Sequence, residues 1–366
     1  MKILFLANSD TVVYNFRIEL VERLLSENHE VYIASPYGER IDDLIRLGCQ
    51  YEKTKISRHG KNPFEDIRLL RSYKDLLRHI RPDIVFTYTI KPNIYGGVAC
   101  GQMHIPYVVN ITGLGTAVEQ KGILQIVTTT LYRLALRKAQ KVFFQNQENM
   151  AFMIDRGIVK QRYELLPGSG VNLNHYQPLP YPSGETIDFV FVARVMKEKG
   201  IDQYLDAAKY IRNKYPYTRF HICGAYEQDY VSVVETLQQK GVVIYQGQIR
   251  DMIPFYRMAS CTVHPTYYPE GMSNVLLESC ASARPIITTD RSGCREIVED
   301  GVNGFVCKQQ DSEDLIKQIE RFLALPYERR RAMGLAGREK VEKEFDRQIV
   351  VDAYLKEVER INHTKV

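Results

Sequence analysis

A chain of 366 residues exceeds the size at which a single hydrophobic core usually stops growing, so two domains are expected. Its hydrophobic content of 45% is typical of a globular protein, and no run approaches the roughly 20 apolar residues of a membrane-spanning helix. The net charge of +5 is modest, and no nucleic-acid motif or interleaved aromatic and basic stripe accompanies it, which disfavours nucleic-acid binding.

The positive charge is unevenly distributed. Residues 1–178 contain 23 Lys and Arg against 17 Asp and Glu, whereas the remainder contains 26 against 27. An unevenly charged solvated surface explains this, and so does attraction to an anionic acceptor or to anionic lipid headgroups. The longest apolar segment, residues 122–139, is broken by Gln125, Arg133 and Arg137, so it can lie on a bilayer but not cross one. An anionic membrane surface, contacted peripherally by the basic first domain, is therefore an expected partner.

The seven cysteines are an odd number, are scattered through apolar runs and include no C-x-x-C pair. These features predict reduced, buried thiols in a cytoplasmic protein, with any membrane attachment peripheral and at the inner face of the cytoplasmic membrane. None of the eight histidines has a second ligand at metal spacing. We therefore expect no metal and no cofactor.

Apolar, β-rich runs alternate with longer amphipathic stretches along the first half of the chain. The runs are KILFLAN, EVYIAS, DIVFTY, PYVVNI and KVFFQN. This alternation predicts an α/β fold with a parallel sheet and helices on both faces. Ligands of such sheets bind at the carboxyl ends of the strands, so the loops after the strands contain the candidate site residues.

Three of these loops stand out in the first half. The first ends in Arg17 at the start of a helix, and the loop after DIVFTY contains Lys91. The strand PYVVN ends in Asn110 and is followed by Thr112 and Gly113. The G-x-G here lacks the later glycine and the acidic residue of a dinucleotide site, so we interpret it as a turn that needs a close approach of the backbone.

The second half repeats the alternation. The run IDFVFVARVMKEKG places Arg194 and Lys199 directly after a buried strand. The runs RFHICG and VVIYQG follow, and the loops after them contain Gly224, Gln248 and Ile249.

The stretch CTVHPTYYPEGMSNVLLESCASARPIITTD predicts a strand, a loop, a helix and a strand. Glu270 lies in the loop, and a helix over about residues 273–281 contains Glu278. Ser273 or Asn274 can cap this helix, whose first backbone N–H groups and positive dipole end suit a phosphate. Two carboxylates flanking a phosphate-binding helix terminus match the layout of a nucleotide sugar.

The Glu-x7-Glu pattern, with the following ASARPIITTDRSGCREIVEDGVNG, resembles the retaining GT-B glycosyltransferases of family 4. The segment ARVMKEKG is similar to the same family's pattern of a small residue, Arg, four residues, Lys and Gly. The resemblance implies two Rossmann-like domains that face a cleft. Residues 1–178 would form the acceptor-binding domain, residues 179–345 the nucleotide-sugar-binding domain, and residues 346–366 a helix packed back on the first domain.

The resemblance also implies residue roles on the donor side. Glu270 contacts the donor sugar, Arg194 and Lys199 neutralise the departing diphosphate, and Glu278 holds the ribose diol. The remaining predicted nucleotide-sugar contacts are Gly271, Met272, Ser273, Asn274, Val275, Leu276, Gly224, Gln248 and Ile249.

The acceptor side departs from the common family pattern. The first loop lacks the Gly-Gly pair that many members have, and it resembles instead the subgroup that extends lipid-diphosphate-linked sugars. On that resemblance Arg17 clamps an acceptor phosphate, and the other acceptor-side candidates are Lys91, Asn110, Thr112 and Gly113. The histidine that many relatives place near Thr112 is absent.

The function implied is retaining transfer of a hexosyl or N-acetylhexosaminyl group from a UDP-sugar to a hydroxyl of a lipid-diphosphate-linked saccharide, in capsule or O-antigen assembly. Three alternatives stay open. A GT-B-type sugar-nucleotide epimerase would need an acid–base pair at the second carbon of the sugar. A non-catalytic nucleotide-sugar-binding subunit would not need the four charged signature residues, and a dinucleotide-dependent dehydrogenase has only the weak G-x-G in its favour.

Overall fold

A computed structural model describes residues 1–56, 63–115, 118, 122–269 and 271–364. The chain divides into two compact units. The first unit comprises Met1–Ser169, Pro269–Met272 and Gln348–Val366, and the second comprises Gly170–Tyr268 and Ser273–Arg347.

The divisions between the units differ by a few residues from the expected boundaries at 178 and 345. The Val171 N–H donates to the Phe345 carbonyl oxygen at 2.8 Å, and the Arg347 N–H donates to the Val171 carbonyl oxygen at 3.1 Å. These backbone bonds hold the segment after Ser169 to the second unit. The first segment of the first unit therefore ends at Ser169.

The first unit is built on seven parallel strands in the order β3-β2-β1-β4-β5-β6-β7. The strands are β1 (Lys2–Leu6), β2 (Glu30–Ser35), β3 (Gln50–Lys53), β4 (Ile84–Tyr88), β5 (Tyr107–Ile111), β6 (Lys141–Phe144) and β7 (Tyr163–Leu165). Strands β4 and β5 are buried along their whole length, as expected for a parallel sheet covered on both faces. The strand order reverses between β1 and β4, which is where such sheets bind ligands.

Helices cover both faces of this sheet. They are α1 (Asp10–Ser26), α2 (Ile41–Arg46), α3 (Pro63–Ile80), α4 (Gly97–Met103), α5 (Ile123–Leu136) and α6 (Gln147–Asp155), and a π-helical turn (Pro92–Gly96) precedes α4. Helix α1 begins where the Ser9 hydroxyl accepts from the Thr11 N–H at 3.3 Å, which satisfies a helix N–H group. Two hydrophobic clusters form the core, one on each face of the sheet.

The second unit contains six parallel strands in the order β10-β9-β8-β11-β12-β13. The strands are β8 (Ile187–Val192), β9 (Thr218–Cys223), β10 (Ile244–Gly247), β11 (Cys261–His264), β12 (Ile286–Thr289) and β13 (Gly304–Cys307). The helices are α7 (Ile201–Lys214), α8 (Val231–Gln239), α9 (Ile253–Met258), α10 (Asn274–Ala281), α11 (Ser312–Leu323) and α12 (Tyr327–Glu344), and a 3-10 turn (Lys197–Lys199) precedes α7. The order reverses between β8 and β11.

The last helix, α13 (Arg347–Thr364), returns to the first unit. Its Tyr354 is fully buried, and its ring packs edge-on against Phe86 and at a tilt against Phe143, with 4.9 Å between ring centroids in both contacts. Aromatic contacts of this geometry anchor the helix to the sheet. The structure therefore has the two Rossmann-like α/β halves expected from the sequence.

Two expectations about composition can be compared with the structure. All seven cysteines are buried and none is bridged, as predicted. Within the described residues, no helix combines the length and the apolar character needed to span a bilayer.

Candidate active site

Three loops of the second unit converge on Gly224, at the carboxyl edge of its sheet. The Gly224 N–H donates to the Gly247 carbonyl oxygen at 2.7 Å, and the Gly224 carbonyl accepts from the Tyr245 hydroxyl at 3.0 Å. A Cβ at position 224 would lie 1.7 Å from the Ala193 carbonyl oxygen. Only a glycine allows the loops after β8, β9 and β10 to approach one another this closely. Gln248 and Ile249, both predicted nucleotide contacts, directly follow Gly247 in the third of these loops.

Arg194 and Lys199 both lie beside the ring of Tyr268 at this edge. The Arg194 guanidinium carbon is 5.7 Å and the Lys199 Nζ is 4.8 Å from the centroid of that ring. Lys199 is 8% exposed, and Arg194 pairs with Glu227 at 3.1 Å. The sheet thus brings together the two cations that the sequence predicted to act on one diphosphate.

The turn that contains Lys199 is fixed by its neighbours. Gly200 has φ +78°, and a Cβ there would lie 2.1 Å from the Pro265 carbonyl oxygen. The Tyr267 N–H donates to the Glu198 carbonyl oxygen at 2.9 Å. These contacts join the loop after β8 to the loop after β11. The backbone that carries the cations is therefore fixed, and their position does not depend on flexible side chains alone.

Helix α10 begins one residue later than predicted, at Asn274. Ser273 is in the N-cap position, but its side chain makes no capping hydrogen bond. Its own N–H donates to the Gly293 carbonyl oxygen at 2.8 Å. The Ser273 side chain therefore does not occupy the first N–H groups of α10, and N–H groups at a helix start suit an anion. Val275 and Leu276, both predicted donor contacts, lie in this first turn.

Glu278 is partly buried inside α10 beside two tyrosines. The Tyr256 hydroxyl donates to Glu278 Oε2 at 3.1 Å, and Tyr176 also forms a favourable contact with the carboxylate. Burial raises the pKa of Glu278 to about 7, whereas the hydrogen bond from Tyr256 and the positive charge of Arg347 lower it. At a pH of about 8 the side chain is therefore mainly an anion in a poorly solvated position, able to accept hydrogen bonds from a diol.

In the first unit, neutral polar side chains form a buried chain at the carboxyl ends of β4, β5 and β6. Thr87 Oγ1 donates to Asn93 Oδ1 at 2.8 Å, and Asn93 Nδ2 donates to the Asn110 carbonyl oxygen at 2.8 Å. Asn110 Nδ2 donates to the Tyr354 hydroxyl at 2.8 Å, and Gln145 Nε2 donates to Asn110 Oδ1 at 3.3 Å. Asn110, predicted as an acceptor contact, is thus buried, and its hydrogen bonds to Tyr354 and Gln145 connect β5 with α13 and with the end of β6.

Arg17 lies below this surface rather than on it. It is 2% exposed, and its guanidinium carbon is 5.2 Å from the centroid of the Tyr88 ring and 5.6 Å from that of Tyr354. Its Nη1 donates to the Phe16 carbonyl oxygen at 2.5 Å. The predicted acceptor-phosphate contact of Arg17 would therefore need the side chain to become more accessible.

Lys91 borders an open groove of about 1220 Å³ in the first unit. Its Nζ pairs with Asp66 at 2.9 Å, and both side chains are mostly buried. Half of the residues that line the groove belong to helix α3, and most of the others lie in or after β2 and β3, among them Tyr37, Lys53 and Lys55. The groove thus lies along the β3 edge of the sheet and reaches the loop after β4 at Lys91.

Gly271 and Met272 belong to the first unit, although the sequence predicts them as donor contacts together with α10. Asn146 Nδ2 donates to the Gly271 carbonyl oxygen at 2.7 Å. A Cβ on Gly271 would lie 2.3 Å from the carbonyl oxygen of Thr112, the residue before Gly113. The glycine thus permits a close backbone approach to an acceptor-side turn.

Several residues around these sites were not predicted from the sequence. They are Tyr256, Arg347, Glu227, Tyr268, Asn146 and Gln145. The aromatic pair before Pro269 and the amide pair directly after β6 were the only local signals that could have indicated some of them. Glu270, the predicted sugar contact, lies outside the described residues, so its role stays a prediction.

No group of three or more His, Cys, Asp and Glu side chains suitable for a metal ion occurs in the described part of the chain. The positive charge at the edge of the second unit comes from Arg194, Lys199 and the N-terminus of α10.

Two families of glycosyltransferases together match most of the chain. The family described as glycosyl transferases group 1 matches residues 181–340. The family described as glycosyl transferase 4-like matches residues 2–146. The chain belongs to the family-4-like GT-B glycosyltransferases. The recognition from the Glu-x7-Glu region is thereby confirmed, and glycosyl transfer is favoured over the epimerase and the binding subunit.

Similar proteins extend over the whole length of this glycosyltransferase. A Campylobacter jejuni protein named N,N'-diacetylbacillosaminyl-diphospho-undecaprenol alpha-1,3-N-acetylgalactosaminyltransferase is 24% identical and covers 99% of both chains. The Staphylococcus aureus capsular polysaccharide biosynthesis glycosyltransferase CapM is 26% identical over 90% of both.

Solved structures agree on the fold. Anabaena Alr3699/HepE, in complex with UDP-glucose, has a TM-score of 0.80 at 19% identity and covers 98% of this chain and 99% of its own. A glycosyltransferase from Rickettsia africae has a TM-score of 0.81 at 16% identity, with 98% of each chain covered. At this identity the likeness shows the fold, which is the predicted GT-B fold.

Proposed function

We propose that this glycosyltransferase moves a hexosyl or N-acetylhexosaminyl group from a UDP-sugar to a hydroxyl of a lipid-diphosphate-linked saccharide, with retention of configuration. The observation that carries the proposal is the second unit's edge, where Arg194 and Lys199 lie beside Tyr268, together with Glu278 in α10, a helix that the Ser273 side chain does not cap. Cations for a diphosphate and a carboxylate for a diol are what a nucleotide sugar requires.

In this proposal the donor is bound mainly by the second unit. Glu278 accepts hydrogen bonds from the ribose diol through Oε1, because Tyr256 already donates to Oε2. The first N–H groups of α10 contact a phosphate, as helix termini commonly do. Gln248 and Ile249 contact the base. Glu270 contacts the sugar hydroxyls, as the family resemblance implies.

Arg194 and Lys199 stabilise the leaving diphosphate. Breaking the bond between the sugar and UDP leaves negative charge on the β-phosphate, and cations fixed in a partly buried site stabilise that charge without rearranging. No residue pattern in the sequence indicates a covalent nucleophile. The leaving phosphate oxygen itself takes the proton from the acceptor hydroxyl, on the face where the new bond forms.

The acceptor is bound by the first unit. The Campylobacter relative is named for a diphospho-undecaprenol-linked saccharide, and CapM for capsular polysaccharide biosynthesis. A lipid-diphosphate-linked saccharide in capsule or O-antigen assembly is the corresponding acceptor here. Its sugars would occupy the groove beside Lys91, with Thr112 and Gly113 at the turn after β5.

Such an acceptor is anchored in a bilayer, and helix α5 offers a surface that suits one. Ile123 is 82% exposed, Ile126 is 65% exposed and Leu134 is 56% exposed. The helix has no acidic residue, and the charged residues from Ile123 to Lys141 are all basic, including Arg133 and Arg137. An exposed apolar face next to basic residues matches the surface of an anionic membrane. We propose that α5 docks there, at the inner face of the cytoplasmic membrane.

Vesicle binding tests this docking. The wild type should co-sediment with phosphatidylglycerol vesicles and much less with phosphatidylcholine vesicles, and added salt should weaken the binding. Replacing Ile123 and Ile126 with Ser should reduce it, whereas Val302→Ser, at an exposed apolar residue of the second unit, should not. Binding that ignores both lipid charge and the α5 substitutions would contradict the proposal, as would dimerisation through α5 in light scattering.

The reaction itself is tested with a panel of UDP-sugars and short lipid-diphosphate saccharides, with products identified by mass. One UDP-sugar should give an acceptor heavier by one sugar, and NMR of that product should show the anomeric configuration of the donor. Isomerisation of the donor without acceptor would favour an epimerase. Binding of donor without turnover of any acceptor would favour a non-catalytic subunit.

A further inference from the structure

The Arg194 guanidinium already has an anionic partner in this structure. Its Nη1 lies 3.1 Å from Glu227 Oε1, and the side chains are 36% and 39% exposed. A carboxylate therefore occupies one of the hydrogen-bonding positions of the Arg194 guanidinium. The family resemblance assigns no role to Glu227.

Hydrogen bonds between two loops position Arg194 and Glu227 for this ion pair. The Val195 N–H donates to the Ala225 carbonyl oxygen at 2.8 Å, and the Glu227 N–H donates to the Val195 carbonyl oxygen at 3.2 Å. The Lys197 N–H donates to Gln228 Oε1 at 2.9 Å. These bonds join the loops after β8 and β9, and they place Glu227 beside Arg194.

Tyr268 provides a second, uncharged contact. Its ring lies near both cations, with Lys199 Nζ at 4.8 Å and the Arg194 guanidinium carbon at 5.7 Å from the centroid. The Tyr268 N–H donates to Thr266 Oγ1 at 3.2 Å, which fixes the start of the loop. An aromatic face attracts a cation without neutralising it, so the contact with Tyr268 does not itself remove the charge of either side chain.

We propose that Tyr268 and Glu227 are positioning residues for the leaving diphosphate. The Tyr268 ring holds Arg194 and Lys199 at the edge of the sheet, and the Glu227 carboxylate is the counter-ion that the diphosphate displaces from Arg194. The inference rests on the proposed function, because it takes the anion to be the diphosphate of a UDP-sugar. In this proposal Glu227 weakens the binding of the diphosphate, whereas Tyr268 strengthens it.

The opposite signs make the proposal testable by UDP titration calorimetry. Glu227→Gln keeps an oxygen that can accept from Arg194 but removes the competing charge. Exposed ion pairs contribute little, so UDP affinity should rise by only about two- to fivefold. Glu339→Gln, which removes an exposed partner of Lys343 in α12, is the matched control and should leave the affinity unchanged. A purely structural role for Glu227 would instead lower the affinity.

Tyr268 is tested in the same titration. Tyr268→Phe keeps the ring and should bind UDP as the wild type does, whereas Tyr268→Leu removes two cation–ring contacts and should weaken binding about five- to thirtyfold. Should the Leu variant fail to fold, the Phe and Glu227→Gln variants still decide. Equal losses in the Phe and Leu variants would contradict the role of the ring.

The two proposals fail differently. If the wild type binds UDP and transfers sugar but Glu227→Gln shows unchanged or weaker UDP binding, the role of Glu227 is wrong and the proposed function stands. If the wild type binds no UDP, the proposed donor is wrong, and this inference falls with it.

Discussion

The two units present their ligand-binding edges in different ways. In the second unit, Arg194 and Lys199 lie together beside Tyr268 at the edge of the sheet, and the partly buried carboxylate of Glu278 lies in α10. In the first unit, the residues at the corresponding edge are mainly neutral, buried and hydrogen-bonded to one another, with Asn110 at the centre. The edge of the second unit therefore carries charged side chains, whereas the edge of the first unit is built mainly from neutral ones.

The largest effect should come from removing a leaving-group cation. Lys199→Met keeps the length of the side chain but deletes the charge, and loss of one stabilising group of this kind typically lowers kcat by about a hundred- to a thousandfold. Initial rates with saturating UDP-sugar and acceptor measure it. The exposed Lys197, two residues earlier, is the matched control, and Lys197→Met should retain activity. Equal losses of activity in the two variants would contradict the role of Lys199 as a leaving-group cation.

The next effect concerns the point where the three loops meet. Gly224→Ala inserts a methyl group 1.7 Å from the Ala193 carbonyl oxygen, so the loops must separate. Such overpacking should lower the free energy of unfolding by about 3 kcal/mol and reduce UDP binding. Gly184→Ala, where a Cβ meets nothing within 4 Å, serves as the control in the same urea denaturation. Unchanged stability of the Gly224→Ala variant would contradict the convergence.

The first unit should respond differently. Asn110→Ala leaves the buried hydroxyl of Tyr354 without the amide that donates to it, which should cost about 2 kcal/mol of stability. We expect a higher KM for the acceptor and little change in UDP affinity. If Asn110→Ala lost as much UDP affinity as Lys199→Met, the expected difference between the two units would be contradicted.

The smallest effect is at Glu278, where it depends on pH. Glu278→Gln replaces charged hydrogen bonds to the diol with neutral ones and should weaken UDP binding by about tenfold at a pH of about 8. In the wild type, UDP affinity should fall as the pH drops through about 7, because the carboxyl group becomes protonated there. A flat affinity profile across this range would argue against contact between Glu278 and the nucleotide.

The same carboxyl group affects stability with the opposite sign. Its pKa in the folded state is about 7, above the ordinary value of 4.5, so the folded state favours the neutral form. The stabilisation this provides is fully present below about pH 4.5 and is lost as the pH rises through about 7. Glu278→Gln should therefore raise the free energy of unfolding by about 1–3 kcal/mol at about pH 8 and by much less at about pH 5. Glu339→Gln should show no such difference.

Much of the fold was predictable because it follows from local periodicity. Alternating apolar runs and amphipathic stretches predict parallel strands and helices, and the segment ARVMKEKG places Arg194 and Lys199 at a strand end. The start of α10 was predicted to within one residue.

The unpredicted features depend on contacts between distant parts of the chain. Arg17 is buried because Tyr354, more than 300 residues later, packs beside it. Glu278 has a raised pKa because it is buried away from solvent, which no pattern within α10 reveals. Gly271 groups with the first unit, where Asn146 donates a hydrogen bond to it. Spacing within one segment cannot report such contacts.

The proposal that the second unit binds the donor and the first unit the acceptor is tested most directly by titrating UDP, without acceptor, into the wild type, Lys199→Met and Arg17→Gln. If the donor is bound by the second unit, Lys199→Met should bind UDP at least about tenfold more weakly, while Arg17→Gln binds it as the wild type does. Weakened UDP binding in Arg17→Gln together with unchanged binding in Lys199→Met would contradict this division.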